Sequence, residues 1–302
     1  MKDTKEMEYK ISAVIPVFNR EKTIRRCIDS VLGQTYPVYE IIVVDDGSTD
    51  QTLKILKEEY DDCIKLVRQN HKGAQAARNA GIKAACGAYI AFLDSDDEWL
   101  PEKLELQVLQ VQKNPDAVIC GDIYIQTDWE KGIPAVYRKA MDGEQKARTG
   151  SRKLVKLNGR SGSVYKWILK ESFCNFEVLF TSKTNLEKIG YLDESVPSFH
   201  EWDTAIRLAE KFEFIYIRKP LSIYHLHDGE TISKDRKRAI DGNEYICEKY
   251  KFEILSQIGK GELVRRYKEL MKICWDYKDG RFLKYFFKYI MGKANMFVFE
   301  GN

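Results

Sequence analysis

The sequence predicts an α/β fold with helices on both faces of a mostly parallel central sheet, followed by a C-terminal helical extension. Two features of the first 125 residues lead to this class. Short β-branched apolar runs occur without polar alternation, and segments with apolar residues at helical spacing separate them. Strands of that kind are buried on both faces, as in parallel sheets. The chain has 302 residues, of which 44% are hydrophobic, enough for one large or two small domains.

Strands and helices are predicted to alternate along this region. The strands are expected at Ile11–Ile15, Ile41–Val44, Ile64–Val67, Tyr89–Leu93 and Ala117–Ile125. The helices are expected at Thr23–Leu32, Thr52–Tyr60, Ala74–Ala85 and Leu100–Gln112. Ligands of such sheets bind at the carboxyl ends of the strands, so the residues that follow each strand are candidate site residues.

The pattern weakens in the second half of the chain. Lys146–Arg160 is rich in Lys, Arg, Gly and Ser and is interpreted as a solvated mobile loop, with a phosphate-binding lid as the alternative. A strand-like segment is expected at Phe176–Thr181, a helix at Ile206–Phe212 and a strand at Phe214–Ile217. The chain is expected to be helical from Arg236 onward. We expect one domain over residues 1–230, in two halves at about 10–125 and about 126–230. A basic helical region would follow at 231–302.

Charge and cysteine content exclude several protein classes. The net charge of +3 does not indicate nucleic-acid binding. The seven cysteines show no Cys-x-x-Cys spacing, so neither a zinc site nor a disulfide framework is expected, and a reducing cytoplasm fits best. Met1–Lys10 lacks an apolar core, and no apolar run of about 18 residues occurs, so neither a signal peptide nor a membrane span is expected.

An acidic cluster follows the fourth predicted strand. It comprises Asp94, Asp96, Asp97 and Glu98, with Ser95 among them. Packed carboxylates repel one another unless a cation neutralises them, and oxygen ligands suit Mg²⁺ or Mn²⁺ held with substrate phosphates. The alternative is a solvated turn that caps the next helix, and Asp97 and Glu98 are expected to begin that helix.

Polar residues also follow the other strands. Asp45 and Asp46 have carboxylates that accept hydrogen bonds from ribose hydroxyls or a uracil imide, or that form a turn with Gly47. Arg78 lies among small residues that permit close backbone approach, and its guanidinium suits a diphosphate or Asp94.

A second group of polar residues lies beyond residue 199. Glu201 and Asp203 flank an aromatic residue, and either carboxylate is suited to act as a general base or to cap a helix. His225 and His227 share one face of a predicted strand, where they are candidate metal ligands or satisfied polar groups.

Together these segments resemble the family 2 glycosyltransferases, inverting enzymes with a GT-A fold, of the bacterial polysaccharide and cell-surface glycan type. The matching stretches are Val14–Asn19, Ile42–Asp50, Gly73–Gly81, Phe92–Asp97, Ile189–Glu194 and Glu201–Ala209. Four of these motifs stand in the family's order and spacing across residues 10–100, and the resemblance extends to about residue 230. It implies a nucleotide-sugar half at about 10–125 and an acceptor half at about 126–230.

The resemblance implies roles for individual residues. The nucleotide-sugar site would comprise Pro16, Phe18, Asn19, Glu21, Asp45, Asp46, Asn70, Gly73, Arg78, Asp94 and Ser95. Asp96 would ligate the metal, with Asp94 and His227 as further candidates. Glu201 falls where the family commonly has an Asp as base. Because His200-Glu201 replaces the usual Glu-Asp, the choice between Glu201 and Asp203 stays open, with Glu201 preferred.

The function implied is transfer of a hexosyl or N-acetylhexosaminyl group from a nucleoside-diphosphate sugar, expected to be a UDP-sugar. The acceptor would be a glycan or a lipid-linked sugar, with Mn²⁺ or Mg²⁺ as cofactor and in-line displacement as mechanism. The alternatives are a nucleotidyltransferase, which would need a Gly-rich phosphate loop after the first strand, and a non-catalytic sugar-nucleotide-binding protein.

The C-terminal region is basic. Lys234–Asn302 holds 16 Lys and Arg against 10 Asp and Glu, a net charge of +6. Arg281, Lys284 and Lys288 form one helical stripe among aromatic residues. This pattern predicts peripheral membrane contact through residues 278–299, or packing on the catalytic domain or on a second protomer in a homodimer. The expected location is the cytoplasm, at the inner face of the cell membrane.

Overall fold

The computed structural model describes residues 9–127, 152–227 and 235–297. Within the chain, Met1–Val164, Phe173–Glu194 and Arg207–Asp228 form a first compact unit, and Tyr165–Ser172, Ser195–Ile206 and Gly229–Asn302 form a second. The two units are described separately below. The domain boundary at residue 230 stays a prediction.

The first unit is built on one mixed sheet that begins with four parallel strands. These strands are β1 (Ile11–Val17), β2 (Glu40–Asp45), β3 (Lys65–Arg68) and β4 (Tyr89–Phe92), in the order β3-β2-β1-β4. All but the short β3 are buried almost throughout. The predicted strands of this region are thus confirmed, as is the α/β class.

Five further strands extend the sheet beyond β4. They are β5 (Glu98–Trp99), β6 (Val118–Thr127), β7 (Arg152–Val155), β8 (Phe180–Ser182) and β9 (Phe214–Leu226). Beyond β4 the order is β8-β6-β9-β5, with β7 beside β6. Among the strands described in this half, only β6 and β9 pair in parallel. A register shift at Gly121 and Asp122 lies opposite Pro220, which has no amide proton for the ladder.

Helices α1 to α4 confirm the four helices predicted for the first half of the chain. They span Ile24–Leu32, Thr52–Glu59, Ala74–Ala84 and Lys103–Val111. The other helices are α5 (Tyr165–Ile168), α6 (Lys183–Lys188), α7 (His200–Ala209), α8 (Arg236–Lys249), α9 (Lys251–Gln257), α10 (Lys260–Asp276) and α11 (Phe282–Phe297). Among the residues described, no helix is both long and apolar enough to cross a membrane.

Several element predictions are corrected. The loop expected at Lys146–Arg160 contains strand β7, which pairs with β6; residues 146–151 lie outside the described residues. Asp97 and Glu98 do not begin a helix, because the buried Trp99 joins Glu98 in a strand that pairs with β9. The strand-like segment Phe176–Thr181 divides into a 3-10 turn (Phe176–Val178) and the start of β8.

The second unit packs α11 against α8 through its basic residues. Arg281 forms ion pairs with Asp241 and Glu244, and Lys284 also pairs with Glu244. Burial alone would raise the pKa of Glu244, but the hydrogen bonds from Lys284, Tyr285 and Arg281 outweigh it and lower that pKa to about 2. The basic stripe predicted from the sequence therefore faces acidic residues of the same unit.

Close packing between α3 and β1 depends on Gly81. A Cβ at this position would lie 2.4 Å from Cγ1 of Val14, a core residue of β1. At Gly81 the absence of a side chain therefore brings the helix backbone close to the sheet.

We expect Gly81→Ala to destabilise the protein by about 1–3 kcal/mol, because the added methyl group forces the helix away from β1. Thermal unfolding measures the effect. Gly280→Ala is the matched control, since no atom lies within 4 Å of a Cβ built there. Equal melting temperatures for the two variants would show that the close approach is not a constraint.

Candidate active site at the carboxyl ends of the strands

Three carboxylates converge beyond β4. One ligand oxygen from each of Asp94, Asp97 and Glu177 lies within 4.8 Å of the others. Asp97 is 1% exposed. Burial raises the pKa of Asp97 well above its usual range, and the neighbouring charges of Glu177, Asp96 and Asp94 raise it further. A hard divalent cation would relieve this repulsion, so the three residues fit a metal site.

Asp96 faces a different set of partners. Its Oδ2 lies 3.1 Å from Nε2 of His227 and 3.3 Å from the guanidinium of Arg20. Burial would raise the pKa of Asp96, but the hydrogen bond with His227 and the charge of Arg20 lower it overall. The predicted ligands Asp96 and His227 are thus in contact with each other, whereas the compact carboxylate cluster contains Asp94 without Asp96.

Arg78 supports the cluster from helix α3. This buried residue forms an ion pair with Asp94 and donates a 2.8 Å hydrogen bond to Oε1 of Gln75. Its guanidinium lies 4.1 Å from the ring centroid of Phe176. Of the two partners proposed from the sequence, Asp94 is the one that the structure provides within the protein.

Strand β9 fixes the position of Asp97 and Glu98. The His225 amide donates a 2.8 Å hydrogen bond to Oδ1 of Asp97, and Nε2 of His225 lies 2.6 Å from Oε1 of Glu98. Arg26 also lies 3.3 Å from Glu98. His225 and His227 therefore contact different acids and do not converge on one point.

A buried lysine, Lys103, lies near Glu177. Lys103 donates a 2.8 Å hydrogen bond to Gln107, and its ammonium lies 4.1 Å from the centroid of the Trp99 ring. Burial lowers the pKa of Lys103 well below its usual range, and the charge of Glu177 partly opposes that shift. Gln107 in turn donates to the Val178 carbonyl, which ties α4 to the turn that bears Glu177.

Asp46, after β2, holds the loop that follows β3. Its carboxylate accepts hydrogen bonds from the amides of Lys72 (2.7 Å) and Gly73 (2.8 Å) and from the side chain of Gln69 (2.6 Å). The turn alternative proposed for Asp46 and Gly47 holds, since Gly47 has φ 85°. Gly73 has φ 93° and precedes α3.

Asp45 lies beside Asp46 and organises the same edge of the sheet. It accepts a hydrogen bond of 3.0 Å from the Ser48 amide, and the Arg68 guanidinium lies 3.3 Å from its Oδ2. Both acids after β2 therefore have protein donors, and both are buried.

The residues after β1 are joined to the loop after β2. Asn19 has φ 52°, and its side-chain oxygen accepts a 2.8 Å hydrogen bond from the Thr49 amide. Glu21 accepts a 3.0 Å bond from the Gln51 amide. The ring of Phe18 packs against the exposed His71 in a tilted arrangement, with ring centroids 4.2 Å apart.

Three other predicted residues are also placed. Pro16 lies within β1 opposite Val44, Asn70 is exposed, and Ser95 is buried with its carbonyl accepting the Thr23 hydroxyl at 2.9 Å. Apart from Arg78, which lies on α3, the predicted nucleotide-sugar residues lie near the carboxyl ends of β1 to β4, and their roles stay predictions.

The two candidate bases lie on α7 within the second unit. Asp203 is completely buried, and its Oδ1 accepts hydrogen bonds from Lys249 (2.6 Å) and Tyr250 (2.7 Å). Glu201 is half-buried. Between them, Trp202 donates a 2.6 Å bond to the Ile168 carbonyl, which anchors the first turn of this helix.

Two members of the carboxylate cluster are absent from the metal ligands expected from the sequence. Asp97 belongs to the predicted acidic cluster, but it is expected there to begin a helix. Glu177 stands in an apolar segment, Phe176-Glu177-Val178, with no local motif. Arg20 and Lys103 were also missed, because only the folded chain brings their charges near the acids.

Comparison with known proteins identifies the family of the chain. The family model described as glycosyl transferase family 2 matches residues 12–165, about half of the chain. The chain belongs to this family.

Two curated relatives show the extent of the similarity. WfgD of Escherichia coli, a UDP-Glc:alpha-D-GlcNAc-diphosphoundecaprenol beta-1,3-glucosyltransferase, is 44% identical over 119 residues, 39% of this chain and 47% of that protein. The glycosyltransferase GlyA of Streptococcus pneumoniae serotype 4 is 33% identical over 236 residues, 73% of this chain and 31% of its own. The chain thus spans less than half the length of these relatives.

A solved structure confirms the expected GT-A fold. TarS 1-349 of S. aureus, crystallised with UDP-GlcNAc, superposes with a TM-score of 0.56 at 19% sequence identity. The alignment covers 87% of this chain and 81% of the TarS fragment. At this identity the likeness concerns the fold alone.

We expect Glu177→Gln to weaken Mn²⁺ binding about 10- to 100-fold, since it removes one of three converging carboxylates. Isothermal titration calorimetry measures the affinity. Glu171→Gln, an exposed carboxylate outside the cluster, is the matched control. Equal affinities for the two variants would exclude Glu177 as a ligand.

Proposed function

We propose that this chain is an inverting glycosyltransferase that transfers a hexosyl or N-acetylhexosaminyl group from a UDP-sugar to a glycan or lipid-linked sugar. The observation that carries the proposal is the carboxylate cluster of Asp94, Asp97 and Glu177, formed beyond the parallel strands. Asp94 and Asp97 lie within the segment matched by the family model. Parallel α/β sheets bind their ligands at this edge.

The cluster supports assistance by Mn²⁺ or Mg²⁺. Asp94, Asp97 and Glu177 would hold the ion, with Asp96 and His227 as the ligands expected from the family resemblance. When bound, such an ion supplies positive charge where a nucleoside diphosphate leaves. Arg20 and Arg78 orient Asp96 and Asp94 through ion pairs, so the acids do not rearrange when charge develops.

The base is proposed to be Glu201. Asp203 is buried and accepts hydrogen bonds from Lys249 and Tyr250, so its carboxylate serves the packing of α7 with α8. Glu201 is partly accessible on the same helix, and such a carboxylate is able to take the proton of an acceptor hydroxyl. This contrast supports the preference for Glu201 over Asp203.

The relatives support the donor and acceptor classes. WfgD is named for UDP-Glc and for an acceptor in which GlcNAc is linked to diphosphoundecaprenol, and TarS was crystallised with UDP-GlcNAc. We infer a UDP-sugar donor, an acceptor on a lipid diphosphate and a role in polysaccharide biosynthesis. The site of action would be the cytoplasmic face of the membrane.

A panel of nucleotide sugars tests the proposed function. With Mn²⁺ present, we expect one UDP-sugar to raise the melting temperature and to release UDP when a GlcNAc-diphospholipid is added. The same donor without metal serves as the control. Stabilisation without UDP release would indicate a binding protein, and pyrophosphate release from UTP with a sugar phosphate would indicate a nucleotidyltransferase.

We expect Glu201→Gln to reduce the transfer rate about 10²- to 10⁴-fold at unchanged melting temperature, because it removes the general base. Asp203→Asn should instead lower the melting temperature, since it weakens a buried ion pair with Lys249. Steady-state kinetics and thermal melts on both variants separate the two effects. Near-normal transfer by Glu201→Gln would assign the base elsewhere.

A further inference from the structure

The second unit exposes an apolar face on α10 and α11. Five residues of α11 are 38–62% exposed: Leu283, Phe286, Phe287, Ile290 and Met291. On α10, Trp275 is 67% exposed and lies 5.1 Å from the ring of Phe282. Exposed contiguous apolar residues of this kind mark interaction sites, and Trp and Phe are typical of helices that lie in a membrane interface.

A groove continues this face between the two helices. It has a volume of about 480 Å³ and is lined by Met271, Lys272, Trp275, Asp276 and Phe282. Apart from the two charged residues, its lining is apolar. Its size and lining suit a flexible hydrocarbon chain.

Unpaired lysines accompany the apolar face. Lys268 and Lys272 lie on α10 at helical spacing from Trp275, Lys278 follows that helix, and Lys293 follows Ile290 by one turn of α11. All four are exposed, and within the described ranges none has an acidic partner. By contrast, Arg281, Lys284 and Lys288 are occupied by ion pairs with α8.

The lysines beside the apolar face indicate which kind of partner would bind there. An apolar face with unpaired lysines complements an anionic lipid surface, whose headgroups attract the lysines while the acyl region accepts the aromatic side chains. The exposed Asp276 also lines the groove, but four lysines outweigh it, so a second copy would bring one net positive face onto another, which is unfavourable. We propose that the α10–α11 face inserts into an anionic lipid monolayer, and that the stripe of Arg281, Lys284 and Lys288 does not make this contact.

This inference rests on the proposed function, since a lipid-linked acceptor requires the protein to work at a membrane. It extends the proposed function, because it assigns the membrane contact to the α10–α11 face. The lysines provide the initial attraction, which added salt screens, and the apolar residues provide the part of the affinity that salt does not weaken.

Liposome flotation of the full chain tests the proposal. We expect the wild type to float with vesicles of equal parts phosphatidylglycerol and phosphatidylcholine, and to bind pure phosphatidylcholine much more weakly. Leu283→Ser/Phe287→Ser should reduce binding about tenfold or more, because two exposed apolar anchors are lost. Leu109→Ser, which alters an exposed leucine of α4, should float like the wild type.

A matched pair of charge variants tests the role of the lysines. Lys268→Gln/Lys272→Gln should weaken binding to the anionic vesicles severalfold, whereas Lys284→Gln/Lys288→Gln, with the same change in net charge, should weaken it much less. The reverse order would overturn the assignment of the face. Circular dichroism melts verify that all variants are folded.

Two further results would overturn the proposal. One is flotation of Leu283→Ser/Phe287→Ser at the wild-type level. The other is a wild type that does not float but sediments as a dimer, with the variant sedimenting as a monomer. Thermal stabilisation by the UDP-sugar without vesicles reports separately on the donor site, so failure of the membrane contact is distinguishable from failure of the proposed function.

Discussion

The crowding of carboxylates after β4 is the constraint on which the site depends. The sheet and the turn that precedes β8 bring four acids close together: Asp94, Asp96, Asp97 and Glu177. Their electrostatic repulsion and burial raise the pKa of Asp97. Ion pairs with the buried Arg78 and with Arg20, and the contact with His227, offset part of this repulsion. The surrounding elements are arranged to supply these partners.

Strand pairing, more than local loop structure, positions the acids. The short β5 pairs with β9, so the His225 amide reaches Asp97 and the His225 ring reaches Glu98. Glu177 arrives from a 3-10 turn that Gln107 holds through the Val178 carbonyl. The cluster is therefore a product of tertiary structure, because a peptide spanning residues 89–99 would contain neither His225 nor Glu177.

The sequence predicted the first half of the fold well, because its apolar runs are β-branched and its helices have clear periodicity. It also placed Asp94 and Asp96 at a strand end, where the chain direction alone brings polar residues to one edge. Glu177 was not predicted as a site residue, because its neighbours in the sequence are apolar and only the folded chain brings it near Asp97. The basic stripe on α11 was recognised, but its acidic partners lie some 40 residues earlier on α8, a separation that helical periodicity does not reveal.

The balance of fixed charge in the site has a practical consequence. Five acids of the site lie near three arginines and a buried lysine. The acids are Asp94, Asp96, Asp97, Glu98 and Glu177, and the basic residues are Arg20, Arg26, Arg78 and Lys103. The two histidines add positive charge only when protonated. In the proposed function, a bound divalent ion would offset the charge of these acids, which would otherwise repel a diphosphate. On that proposal, protein purified through a chelator would bind nucleotides more weakly than protein kept with Mn²⁺ or Mg²⁺, so buffer composition belongs in any comparison of donors.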